Sequence, residues 1–212
     1  MQQAQALIFD LGNVLIDTDF NLTIKAFEAL NPQKSAWLKE NIYHASLFLD
    51  YEKGLIDDKT FRNGLQNILE IAVPDEQLDY AWNALLLNFS PERIEILQAL
   101  RPRYKLFLLS NTNAIHIKKV NEILAQNFQI EKLDFLFDKV YYSFEMHKRK
   151  PEPAIFEQIL QEQNLSPNKV VFFDDSLDNV RAAECIGIES VQIIPSQKEL
   201  KHIFAPLNSF YL

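Results

Sequence analysis

Short apolar runs recur along the chain, and each ends in polar residues. Ala6-Leu7-Ile8-Phe9 runs into Asp10. Lys105-Leu106-Phe107-Leu108-Leu109 ends at Ser110-Asn111-Thr112-Asn113. Lys139-Val140-Tyr141-Tyr142 ends at Ser143, and Val170-Val171-Phe172-Phe173 at Asp174-Asp175. A run of that length reads as a strand buried on both faces, as in a parallel sheet. Ser190 to Ile194 reads as a fifth strand. Between these runs the apolar spacing turns helical: over Pro91 to Leu100, through Ile117, Val120 and Leu124, and through Ile155, Phe156 and Ile159. Pro151 stands near the first turn of the last of these. One more helix starts at about Asn179, with Gly187 near its C-terminal end. Strands alternating with helices predict an α/β domain with a Rossmann-like parallel sheet.

One stretch breaks the alternation. From about Asp19 to Phe89 the apolar positions stay at helical spacing, and no strand is expected there. Ile24, Phe27 and Leu30 form one set; Trp37, Ile42 and Tyr43 a second. Phe61, Leu65, Ile68 and Leu69 form a third, entered through Asp57-Asp58 as an N-cap region. Leu78, Trp82, Leu85 and Leu86 form a fourth, entered through Pro74-Asp75-Glu76. Four helical segments between two strands exceed a simple crossover and read as an inserted helical cap. The expected division is a core of residues 1–17 and 90–212 and a cap of residues 18–89. The segment from Phe48 to Gly54 is the candidate for substrate discrimination. Phe48, Tyr51, Trp37 and Trp82 read first as cap core.

Charge and composition narrow the chemistry. The 212 residues carry a formal net charge of −8, which disfavours nucleic acid and anionic membrane as partners. There is one cysteine, Cys185. It excludes an internal disulfide and a cysteine-built zinc site, and its apolar helical surroundings predict a buried thiol. The N-terminus lacks the basic-then-apolar plan of a signal peptide, and no apolar run is long enough to span a bilayer. A cytoplasmic location is the expectation.

In an open α/β sheet, ligands bind beyond the carboxyl ends of the strands. Asp10, Ser110-Asn111 and Asp174-Asp175 all occupy such ends. Each has an ordinary explanation by itself: an Asx-turn, a helix cap, a solvated turn. Jointly they put carboxylates from two strands on one edge, and clustered carboxylates repel unless a cation sits among them. Oxygen ligands without Cys or His companions select Mg²⁺. Ser110 offers a hydroxyl, and Asn111 a backbone N–H near a helix start, a favourable place for a phosphate. Lys150 can neutralise both a phosphate and a nucleophilic aspartate.

These residues resemble the four motifs of the haloacid dehalogenase superfamily. Phe9-Asp10-Leu11-Gly12-Asn13-Val14 resembles the first, Leu109-Ser110-Asn111-Thr112-Asn113 the second, and Lys150-Pro151, with Ser143 and Glu145 upstream, the third. Phe172-Phe173-Asp174-Asp175-Ser176-Leu177-Asp178-Asn179 is similar to the fourth. The form of the motifs most resembles a bacterial subgroup that includes an α-glucose-1-phosphate phosphatase. The resemblance implies that Asp10 attacks phosphorus and becomes an aspartyl-phosphate. It implies Mg²⁺ held by Asp10, the Gly12 carbonyl oxygen and Asp175, with Asp174 as a further ligand or supporting acid. Ser110 and the Asn111 backbone would hold phosphoryl oxygens, and Lys150 would offset charge. Asn179 and Asp178 would stand behind the metal and the lysine.

One departure is chemical. Most phosphatases of this family carry Asp two residues after the nucleophile as acid and base, whereas this chain has Gly12. His147 also stands where relatives usually have Gly, and it reads as a surface residue without a role. The expected activity is hydrolysis of a small sugar phosphate, with a sugar 1-phosphate foremost. The competing readings are a 2-haloacid dehalogenase, in which Asp10 attacks carbon, and a phosphate-ligand binding protein without turnover.

Overall fold

The computed structural model describes residues 4–42 and 45–194. Tyr43, assigned above to a cap helix, lies outside the described residues. Five parallel strands form the central sheet: β1 (Ala6–Phe9), β4 (Lys105–Ser110), β5 (Lys139–Tyr142), β6 (Val170–Asp174) and β7 (Glu189–Gln192). Their order is β5-β4-β1-β6-β7. Successive residues of a strand point to opposite faces, so an unbroken apolar run supplies two cores. Leu7, Phe9, Leu106, Leu108, Val171 and Phe173 pack on one face against helices α6 (Pro91–Leu100) and α7 (Ala114–Phe128). Ala6, Ile8, Phe107, Leu109 and Phe172 pack on the other against α9 (Pro153–Gln163) and α10 (Leu177–Cys185). Burial on both faces is why the three inner strands, β1, β4 and β6, read as apolar runs rather than as alternations; the edge strands β5 and β7 are only partly buried.

Between β1 and α6 the chain makes a two-stranded antiparallel ribbon, β2 (Ile16–Thr18) with β3 (Leu86–Phe89). Among the described residues, five α-helices lie between its strands: α1 (Phe20–Leu30), α2 (Ser35–Asn41), α3 (Ser46–Glu52), α4 (Asp58–Leu69) and α5 (Asp75–Asn83). Two expectations are corrected here. Leu86 belongs to a strand rather than to the fourth helical segment, because its backbone pairs with Thr18. The segment from Phe48 lies in a separate short helix, α3, so among the described residues the insert holds five α-helices rather than four, with a 3-10 turn at Pro32–Lys34. Asp57 caps α4 by accepting from the Thr60 N–H at 2.8 Å, as its position predicts. Phe48, Tyr51 and Trp82 are buried in the insert's own core.

Three further expectations change. Pro153, not Pro151, opens α9. Cys185 is exposed. The buried face of α10 carries Val180 and Ala183, and a residue two places past Ala183 is rotated about 200° away from that face. His147 is not idle. It adopts φ 54°, the left-handed conformation that explains a Gly in its place, and its ring Nδ1 lies 2.9 Å from the Lys53 carbonyl oxygen of the insert.

The insert is seated on the core along a seam that mixes apolar and polar contacts. Gly54 has φ +64°, and a Cβ there would sit 2.0 Å from the Phe144 carbonyl oxygen. Only glycine permits that approach. Ile115 of α7 joins the insert's hydrophobic core. Beside it, His116 is buried, stacks on Trp82 with ring centroids 4.7 Å apart, and contacts Asn83 Oδ1 through Nδ1 at 2.9 Å.

Burial pushes the His116 imidazole down to about 3. The unfolded chain takes up this proton below about pH 6.5, and the folded chain does not. The contribution to stability is therefore intact above pH 6.5 and is lost as pH falls toward 3. We expect the stability difference between the parent and His116→Phe, which keeps the stack, to change by about 1 kcal/mol per pH unit between pH 6.5 and 5.5. Chemical denaturation of both proteins at those two pH values checks this. Parallel pH profiles would mean that the histidine is not held neutral.

Candidate active site

The strand order brings the polar strand ends together. β1 lies between β4 and β6, and Phe9 is in register with Leu108 and Phe173. Asp10, one residue beyond Phe9, is therefore level with Leu109 of β4 and with Asp174 at the end of β6, and Ser110 follows Leu109 at the end of β4. Carboxylate oxygens of Asp10, Asp174 and Asp175 all lie within 4.8 Å of one another. Lys150 enters from the loop before α9 and is 1% exposed. Its ammonium donates to Asp10 Oδ1 at 2.7 Å, Asp174 Oδ2 at 2.7 Å and the Leu109 carbonyl at 2.9 Å. A lysine has three N–H donors, so its capacity is filled.

The two acids of β6 differ in their surroundings. Asp174 is fully buried. Its Oδ1 accepts from the Ser176 N–H and Asn179 Nδ2, and its Oδ2 from Lys150 and Asn179 Nδ2. Asp175 is partly buried and accepts from Asn13 Nδ2 at 2.9 Å. Burial pushes the Asp175 carboxyl above its ordinary range, opposed by the Asn13 hydrogen bond. Burial also raises Asp10; Lys150 opposes that shift, and Asp174 and Asp175 add to it. For Lys150, burial alone would lower the ammonium, but Asp10 and Asp174 outweigh it and the net shift is upward.

Three carboxylates face one ammonium. Fully ionised, the group carries −3 + 1 = −2, which is the charge that one divalent cation balances. The donors are all oxygen, as Mg²⁺ requires. The residues present fit that ion.

Supporting contacts extend beyond the motifs' expected roles. Asn111 holds Lys150 by its peptide group: Nδ2 donates to the Lys150 carbonyl at 2.9 Å, and Oδ1 accepts from the Lys150 N–H at 2.8 Å. Reading Asn111 only as a backbone donor overlooked this clamp, because the two residues are 39 apart in sequence. Ser143 similarly holds Thr112, accepting from its N–H and donating to its carbonyl. Ser110 is buried at the end of β4. Asp178 lies exposed in the first turn of α10, and none of the hydrogen bonds described above includes it. Asn13, unassigned from sequence, sits inside the cluster; its one sequence signal was its place in the first motif. On the insert side, Glu52 pairs with Arg149, the neighbour of Lys150, at 3.0 Å.

Comparison with known proteins identifies a family. The family model for haloacid dehalogenase-like hydrolases matches residues 4–187. The chain is 25% identical over 188 residues to a D-ribitol-5-phosphate phosphatase of Bacteroides thetaiotaomicron, covering 88% of this chain and 90% of that one. It is 26% identical over 191 residues to a phosphorylated carbohydrates phosphatase of Thermotoga maritima, covering 88% and 83%. A haloacid dehalogenase family enzyme of B. thetaiotaomicron, solved with magnesium and inorganic phosphate, superimposes with a TM-score of 0.85 at 33% identity, covering 95% of this chain and 99% of that one.

Proposed function

Because the chain belongs to the haloacid dehalogenase-like hydrolase family, we propose that it is a Mg²⁺-dependent phosphatase of a small phosphorylated sugar or sugar alcohol, working through an aspartyl-phosphate at Asp10. The carrying observation is the charge of the strand-end cluster: three carboxylates within 4.8 Å of one another and a single lysine. A dehalogenase attacking carbon needs Asp10 and a cation such as Lys150, but has no use for the charge of Asp175. A phosphate ester carries its own negative charge to the site, and a divalent cation reconciles the two.

Roles follow from the surroundings of each group. Asp10 is the nucleophile: a carboxylate oxygen forms the bond to phosphorus as the bond to the alcohol oxygen breaks, and water then cleaves the acyl-phosphate. Lys150 fixes Asp10 Oδ1 and spreads the charge. Asp10, Asp175 and the Gly12 carbonyl oxygen would hold Mg²⁺, which supplies charge neutralisation when bound. Asp174 was expected as a metal ligand or a supporting acid. Four hydrogen bonds from three residues to its two oxygens favour the supporting role, orienting Lys150. Ser110 and the Asn111 N–H would bind phosphoryl oxygens, while the Asn111 side chain holds Lys150 in place. Residues 18–89 would act as the cap that excludes water and selects the alcohol part of the substrate, with the Phe48 to Gly54 segment nearest the choice.

The test is phosphate release from a panel of sugar and polyol phosphates with Mg²⁺, repeated with a chelator, beside halide release from 2-chloropropionate. Phosphate release abolished by chelation is the expected result. Halide release that survives chelation would establish the dehalogenase instead. Tight binding of phosphate esters without turnover would establish a binding protein.

A further inference from the structure

Among the described residues, Asn13 connects the metal-facing edge of the cluster to the strand that enters the insert. It occupies the left-handed region, φ 56°, and its N–H donates to the Ile16 carbonyl at 2.7 Å. That turn folds the side chain back into the hairpin. Asn13 Oδ1 accepts from the Thr18 N–H at 3.2 Å and from Thr18 Oγ1 at 3.0 Å. A backbone N–H only donates, so the carboxamide oxygen must face Thr18. The amide nitrogen is then forced to the other side, where it donates to Asp175 Oδ2 at 2.9 Å. Thr18 ends β2, and Asp19 after it caps α1 by accepting from the Asn21 N–H at 3.0 Å. The route from Asp175 to the first helix of the insert is therefore continuous.

The contrast with Asp174 gives this connection its weight. Asp174 is held by Lys150, Ser176 and Asn179. The Asp175 carboxylate accepts a side-chain hydrogen bond from Asn13, 162 residues away. Gln192 Nε2 donates to its backbone carbonyl at 3.1 Å and leaves the carboxylate orientation open.

We propose that Asn13 is a positioning residue that aims Asp175 for metal binding and, through Thr18, couples the occupied metal site to the entrance of the insert. This rests on the metal-dependent reading above. A partner that orients a metal ligand through a hydrogen bond typically contributes 10–100-fold to metal affinity.

The experiment measures Mg²⁺ binding to the full chain by calorimetry without substrate, so turnover does not enter. Asn13→Gly removes the carboxamide and suits the left-handed backbone. Its Mg²⁺ affinity is expected to fall by about 10–100-fold, with melting in the absence of metal close to that of the parent. Thr18→Val deletes one donor to Oδ1 at nearly constant shape. Its affinity is expected to fall severalfold, although Thr18 is no candidate ligand. Asp175→Ala sets the reference for a lost ligand. Hydrogen exchange over residues 14–20 is expected to slow on Mg²⁺ addition in the parent and not in Asn13→Gly. Asn13→Gly binding Mg²⁺ within about twofold of the parent would overturn the positioning role. Unchanged exchange in a parent that does bind Mg²⁺, with an unaltered Thr18→Val, would overturn the coupling. A parent that binds no Mg²⁺ overturns the functional reading itself, and this inference with it.

Discussion

Asp10→Asn is expected to lose turnover by on the order of 10⁶-fold, the scale seen when another covalent hydrolase loses its nucleophile, while remaining folded. The amide oxygen can still accept the Lys150 hydrogen bond that Asp10 Oδ1 accepts at 2.7 Å. Lys150 also keeps Asp174 and the Leu109 carbonyl, so it is not left buried without a counter-charge. Replacing one of three clustered carboxylates also relieves their mutual repulsion in the metal-free protein. Melting without metal should therefore be equal to or above that of the parent. A neutral amide cannot form the acyl-phosphate. Phosphate release on the best substrate, together with acid-quenched mass analysis of the peptide containing residue 10, reads both halves: parent phosphorylated, variant not. A variant that retained even a tenth of the parent rate would sink the covalent mechanism.

Gly12→Asp is expected to raise the rate on esters with poor leaving groups by about 10²–10⁴-fold, the usual range for a positioned general acid. The parent site offers no evident donor at this position. Asp17, the nearest acid along the hairpin, is engaged by Arg93 Nη2 at 2.8 Å. Without a proton donor the departing oxygen must leave as an alkoxide, so the parent rate should rise steeply with leaving-group acidity. An anomeric phosphate satisfies that demand best, because the ring oxygen makes the departing hydroxyl more acidic.

The backbone has room for a Cβ at position 12. A Cβ at Gly12 meets Thr18 Cγ2 at 3.7 Å and Thr18 Oγ1 at 3.9 Å, ordinary contact distances. Measured over a series of phosphate esters, the leaving-group dependence should flatten in Gly12→Asp, with the poorest leaving groups gaining most. A flat dependence in the parent would show that an acid is already present and would remove the argument for an anomeric ester.

The sequence by itself determined what depends on neighbours along the chain. All five strands of the sheet and most helices were legible: a doubly buried strand must be an apolar run, and a half-buried helix must repeat at its own period. The polar residues that end β1, β4 and β6 were legible as candidate chemistry for the same reason: they interrupt those runs. Where local pattern and long-range pairing disagree, pairing prevails. Leu86 continues a helical spacing, yet its backbone is taken by Thr18 in β3. Cys185 lies in an apolar stretch, yet the turn of α10 rotates it outward. The different surroundings of Asp174 and Asp175, adjacent and chemically identical, were not legible in the local pattern; only the family resemblance set the two apart. One points into a shell of donors contributed by residues 150, 176 and 179, and the other meets Asn13 from 162 residues away. The clamp of Asn111 on Lys150 and the double acceptance of Asn13 from Thr18 were likewise tertiary decisions. A hydrogen bond is set by distance and angle between groups, and only the order β5-β4-β1-β6-β7 brings β1 between the strands that supply those groups.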